Sequence, residues 1–80
     1  MISEKCVSAL ERELKYQYKH DNFDKLSGKI LYLQSIMNEL REKYVNNASE
    51  VPALDEIRRL VAVGIMTMEQ HGVIERERMK

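Results

Sequence analysis

The sequence predicts an all-α fold: an N-terminal helix followed by an antiparallel helical hairpin, assembling with other copies into a helical bundle. Three observations lead there. Good helix formers dominate, with three glycines and one proline in 80 residues. Apolar residues recur at steps of three and four in three separate stretches, the period of an amphipathic helix. The chain is also short, and a domain of this size buries only about 60–65% of its unfolded surface. Small domains compensate with disulfides, metals or oligomerisation. A single cysteine, Cys6, rules out an intrachain disulfide, and no Cys/His pair has zinc spacing. Association is the route that remains.

The first helix is expected over about 3–19. Val7, Leu10, Leu14 and Tyr18 form one stripe, and Ser3 suits the N-cap. The second is expected over about 22–46, with Asp21 or Asn22 as its cap. Phe23, Leu26, Ile30, Leu33, Met37, Leu40 and Tyr44 alternate steps of three and four, an a/d seam held over three heptads. Asn46 and Asn47 end it, because asparagine tolerates the left-handed conformation. The short linker to Val51 folds the next helix back antiparallel.

The third helix is expected over about 52–71. Pro52 suits the first turn, and Asp55 and Glu56 follow near the positive end of the helix dipole. Its primary stripe is Leu54, Ile57, Val61, Ile65 and Met68. Ala62, Val63 and Met66 lie opposite, so the helix is apolar nearly all round. Such a helix is buried on more than one face, and the second face, Ala62, Val63 and Met66, is read as an oligomer interface. Gly72 suits a Schellman ending with Val73 packing on Met68. Residues 1–80 make one domain, with 73–80 a charged, frayed tail.

Composition excludes several classes. Thirteen basic and thirteen acidic residues leave no net charge, and no basic stripe of the kind nucleic acid requires is present. Lys15, Lys19, His20, Lys25 and Lys29 make only a mildly basic stretch. The longest apolar run, Leu60 to Met66, is too short for a bilayer, and the N-terminus has no signal-peptide pattern. The expected location is the cytoplasm, with neither nucleic acid nor membrane as partner.

Few residues suggest chemistry. Cys6 reads as a buried small hydrophobe, His20 and His71 as helix-end residues, and Met37, Met66 and Met68 as core filling. Mid-helix Gly64 costs about 1 kcal/mol relative to alanine, which points to a close backbone approach. Gly28 falls on the side of the second helix away from the seam. The acids near the hairpin turn are more informative. Antiparallel pairing sets Glu42 near the level of Glu56, and Glu39 near Arg59. Carboxylates converging from two helices suit Mg²⁺, so Glu39, Glu42 and Glu56 form the candidate metal set.

At these acids the chain resembles the MazG-like family of all-α nucleoside triphosphate pyrophosphohydrolases, including their short phage versions. That family carries E-E-x-x-E on one helix and E-x-x-D on the next, which together bind Mg²⁺. Here the matching stretches are Asn38-Glu39-Leu40-Arg41-Glu42 and Glu56-Ile57-Arg58-Arg59. The run from Leu60 to Glu69 is similar to the family's apolar, small-residue helix. Asn38 replaces the first glutamate and Arg59 stands at the aspartate position, so the resemblance implies ligand binding by Arg59 and Asn38 with weak or no hydrolysis. Arg59-x-x-Ala62-x-Gly64, with Met68 and Gln70, is also similar to phage anti-defence proteins that sequester cyclic nucleotide signals. The expectation is a small oligomeric nucleotide-binding accessory protein, with Mg²⁺ as the implied cofactor. The alternative is an adaptor or inhibitor presenting an amphipathic helix to a host protein.

Overall fold

A computed structural model describes residues 1–47 and 49–76. Within them the chain forms α1 (Glu4–Lys19), α2 (Leu26–Asn46) and α3 (Val51–His71). The all-α class holds. Ser3 caps α1 as expected, its hydroxyl accepting from the Cys6 N–H at 3.2 Å.

The other helix ends depart in detail. α2 starts at Leu26, four residues later than expected, and its N-cap, Lys25, makes no side-chain cap bond. Asp21 serves a different purpose, described below. Asn47 ends α2 in extended rather than left-handed backbone. Its side-chain amide instead donates to the Lys43 carbonyl at 2.7 Å, satisfying one orphan acceptor of the last turn. Gly72 follows α3 at φ 112°, a conformation open to glycine, and its N–H continues the helical pattern to the Met68 carbonyl. Val73 and Met68 are both exposed, so the expected hydrophobic clasp is not formed. Residues 77–80 of the expected charged tail lie outside the described residues.

α3 is the central element. It packs against both α1 and α2, while α1 and α2 are not directly paired along their backbones. Ile36 of α2 and Val63 and Met66 of α3 form the buried core, with Leu14, Tyr32, Leu33 and Leu60 packed around it. Lys43 to Glu56, Glu39 to Arg59 and Ile36 to Val63 pair in descending and ascending order, which makes α2 and α3 an antiparallel hairpin.

The rotation of each helix differs from the expected one. At 100° per residue, the α2 seam lies about 80° round the helix from Ile36. Consequently Leu26, Ile30, Met37 and Tyr44 are exposed, and the inward line is Lys29, Ile36 and Lys43. α3 is turned further. Its expected primary stripe sits about 160° from Val63, and Leu54, Ile57, Val61 and Met68 face outward. Ala62, Val63 and Met66 are 0%, 0% and 1% exposed within the single chain, so they are not a free interface. On α1, Gln17 is buried and Tyr18 exposed, the reverse of the expected stripe. Cys6 is exposed rather than buried.

Lys29 explains the setting of α2. Its side chain is fully buried, and its ammonium donates to Asp21 Oδ1 and to the Phe23 carbonyl. Asp21 also accepts from the Phe23 N–H at 3.2 Å and from Gln70 Nε2 at 2.9 Å, tying the α1–α2 loop to the end of α3. Gly28 lets the Phe23 ring lie against α2, since a Cβ there would stand 3.1 Å from the ring. A buried ammonium must be paired, because an uncompensated charge in a protein interior is expensive.

Asp21→Ala leaves that ammonium with only a carbonyl, so it should destabilise the fold by about 3–5 kcal/mol, whereas Lys29→Met should fall within about 1 kcal/mol of wild type. Urea unfolding followed by circular dichroism separates the two; equal stabilities would refute the latch. The hydrogen bond from Lys29 holds the Asp21 carboxyl below its ordinary value. Its stabilising share is complete above about pH 3.9 and lost as pH falls through the lowered value. Acid titration of Asp21→Asn should therefore show a smaller loss of stability below pH 4 than wild type.

Candidate functional site

Above the core, polar side chains from all three helices join in one network. Glu13 and Gln17 come from α1, one turn apart, and the Gln17 amide donates to Glu13 Oε2 at 2.8 Å. Tyr32 of α2 donates its hydroxyl to Gln17 Oε1 at 3.3 Å and accepts from Arg59 Nη2 at 3.2 Å. The Arg59 guanidinium also lies 5.5 Å from the Tyr32 ring centre, within cation–π range. Its Nη1 donates to Glu39 at 2.9 Å and to Glu56 at 3.2 Å. Glu56, almost wholly buried, takes a second cation, Lys43, at 2.8 Å. Arg58 closes the other flank, from Nε to Glu13 at 3.0 Å and from Nη2 to Asp55 at 2.6 Å.

The electrostatics follow from these pairings. Burial works against the Arg59 charge, but the Tyr32 hydroxyl and the Glu56 and Glu39 carboxylates outweigh it and hold the guanidinium above its ordinary value. The Glu13 hydrogen bond does the same for Arg58, with Asp55 adding to it. Glu56 raises Lys43 in the same way. Among the described residues no buried side-chain nitrogen or oxygen lacks a partner. A network satisfied this fully rigidifies the helix packing as well as shaping a site.

Beside the network an open cleft of about 550 Å³ is lined by Tyr16, His20 and Tyr32, by Arg58 and Arg59, and by Glu13, Gln17, Asp55 and Glu56. Tyr16 and His20 stack with ring centres 4.5 Å apart. This is the volume of a small-molecule site. Two guanidinium groups and three aromatic rings on its walls suit a planar, anionic ligand. Three carboxylates share those walls, so the cleft carries no surplus of positive charge.

The expected metal set is not assembled. Glu39 and Glu56 do meet, but Arg59 occupies the space between them. Glu42 is exposed and faces a separate surface depression with Asn38, Arg41, Val45 and Asn46. Among the described residues no group of three or more histidine, cysteine, aspartate or glutamate side chains is placed to hold an ion. The reason is electrostatic: Arg59 and Lys43 already neutralise Glu56. Of the two expected ligand contacts, Arg59 lines the cleft and Asn38 does not. No helix among the described residues is long and apolar enough to cross a membrane.

Sequence reasoning missed Glu13, Gln17, Tyr32, Lys43 and Arg58. One signal was present: Lys29 and Lys43 stand seven residues either side of Ile36, on one helix line. Charges on an inward line require acids opposite, and Glu56 is such an acid. Compared with protein-family models, curated proteins and solved structures, the chain matches none.

Arg59→Met should destabilise by about 1–3 kcal/mol, because it strips buried Glu56 of one hydrogen-bond partner. Glu42→Ala should stay within about 0.5 kcal/mol of wild type. Thermal melts check both, and millimolar Mg²⁺ should leave the wild-type Tm unmoved. A rise in Tm with Mg²⁺ that Glu42→Ala abolishes would restore the metal set.

Proposed function

We propose that this protein is a nucleotide-binding helical accessory protein that binds without turning its ligand over. One observation carries the reading: the cleft sets the Tyr16 and His20 rings near Tyr32, Arg58 and Arg59. Bases stack on aromatic faces, each stack contributing about 1–3 kcal/mol, and guanidinium groups grip phosphate oxygens. The carboxylates argue for a ligand with little charge per phosphate. A phosphodiester, as in a cyclic nucleotide, meets less repulsion from Glu13, Asp55 and Glu56 than a triphosphate does. Two of the acids that would hold a catalytic Mg²⁺, Glu39 and Glu56, are instead engaged by Arg59 and Lys43, which favours binding over hydrolysis. Resemblance to the MazG-like scaffold agrees in fold class and leaves the ligand to be found by experiment.

A second reading is supported by a different surface. Cys6, Ala9 and Leu10 of α1 and Leu54, Ile57 and Val61 of α3 line an apolar groove. A groove of that kind accepts an amphipathic helix of a host protein.

Isothermal titration with a nucleoside triphosphate and a cyclic dinucleotide, each with and without Mg²⁺, tests the first reading. The expected result is Mg²⁺-independent heat with the cyclic dinucleotide. Tyr16→Ala should weaken binding by roughly five- to 150-fold, the worth of one stacked base. Heat with neither compound contradicts the proposal, and release of pyrophosphate would show an enzyme instead.

A further inference from the structure

A second, smaller depression adjoins the cleft. It has a volume of about 310 Å³ and is lined by Ala9, Arg12, Glu13, Tyr16 and Arg58. Glu13, Tyr16 and Arg58 also line the larger cleft, so the two are lobes that share one wall. Residues four apart on a helix lie one above the other, and Arg12, Tyr16 and His20 follow that spacing. One line along α1 thus runs from a cation to two aromatic rings, over about 12 Å at 1.5 Å per residue.

The lobes differ in charge. The larger sets Arg58 and Arg59 against Glu13, Asp55 and Glu56. The smaller sets Arg12 and Arg58 against Glu13 alone. Carboxylates therefore outnumber guanidinium groups in the first lobe, and the order reverses in the second. The three arginines also differ in how far they are engaged. Arg59 is held by Glu39, Glu56 and the Tyr32 hydroxyl. Arg58 bonds Glu13 and Asp55, with 41% of its side chain exposed. Arg12 is exposed and pairs with no carboxylate among the described residues. Its neighbours one turn away on α1 are Ser8, Ala9, Lys15 and Tyr16, none of them acidic.

We propose that the smaller lobe is the phosphate subsite of this site, with Arg12 as its anchor and the base in the larger lobe. For the group that carries the phosphate, the inference rests on the nucleotide-binding reading. An anion meets least repulsion where guanidinium groups outnumber carboxylates. Arg12 presents its fork to two phosphate oxygens without giving up an existing ion pair, which Arg58 and Arg59 do not. Tyr16 borders both lobes, so a base stacked on the aromatic side leaves its phosphate toward Arg12, one turn back along α1. Arg58 reaches both lobes and follows the phosphate, whereas Arg59 lines the larger lobe only.

Arg12→Gln tests this, because an exposed residue without partners is removed at little cost to the fold. The first probe is inorganic phosphate, followed through the arginine Nε–H signals in two-dimensional NMR. Millimolar phosphate should move the Arg12 and Arg58 signals in wild type and leave Arg59 in place. Arg12→Gln should weaken that response roughly ten- to 150-fold, the worth of a charge-assisted hydrogen bond, and Arg12→Lys by less. The second probe is a cyclic dinucleotide compared with adenosine, which carries no phosphate, by isothermal titration. Arg12→Gln should weaken the dinucleotide by a similar factor and leave adenosine unchanged. Phosphate that moves Arg59 alone, or no arginine, overturns the subsite. So does a cyclic dinucleotide that binds wild type and Arg12→Gln equally, a result that leaves the nucleotide reading intact. A phosphate response at Arg12 without heat from either nucleotide compound supports the anion subsite and contradicts the nucleotide reading instead.

Discussion

The packing of this protein depends on a buried charge, Lys29. Its ammonium has no exposed surface and is held by Asp21 and a main-chain carbonyl. A helix free to choose by hydrophobicity alone would turn its Leu26–Tyr44 seam inward. α2 does not, because doing so would carry Lys29 away from Asp21 and Lys43 away from Glu56. Ion pairs near both ends of the helix thus fix its rotation. Buried polar groups acting as a register device at some cost in stability is a known use of such pairs. α3 follows: with Glu56 and Arg59 aimed at α2, Val63 and Met66 must face the core.

That setting creates the tension from which the rest of the molecule follows. The inward faces are mixed polar and apolar, and the outward faces of the hairpin are the richer in aliphatic side chains. A monomer leaves them in water, where each half-covered leucine or isoleucine forgoes part of the roughly 1.5–3 kcal/mol that full burial brings. Apolar surface left this open is uncommon on small monomeric proteins. The polar network draws on all three helices. It joins α1 to a hairpin whose α2 is not paired with α1 along the backbone, and the gap it spans is the cleft.

The fold class, three helix extents and the hairpin were readable because they depend on local period and on breakers such as Asn47 and Gly72. Pairing of Glu39 with Arg59 was readable too, since antiparallel register follows from a short linker. Helix rotation was not. Periodicity identifies an apolar face but not whether it meets its own chain or another. On α3, both faces were apolar, and the assignment of inner and outer was inverted. Gln17 and Lys29 were passed over because polar residues on inward lines look like errors in a stripe until their partners, Tyr32 and Asp21, are placed beside them. The surroundings of the candidate metal acids were hidden for a related reason: spacing brought Glu39 and Glu56 to one level, but only side-chain geometry shows Arg59 between them.

The central claim is the rotational setting of the hairpin. Methyl NOE spectroscopy on selectively labelled protein reads it directly. The account predicts cross-peaks linking Ile36 with Val63 and Met66, and Leu14 with the same cluster. Cross-peaks joining Ile30 and Met37 to Val63 and Met66, with Ile36 silent, would mean that the seam faces inward and would contradict it.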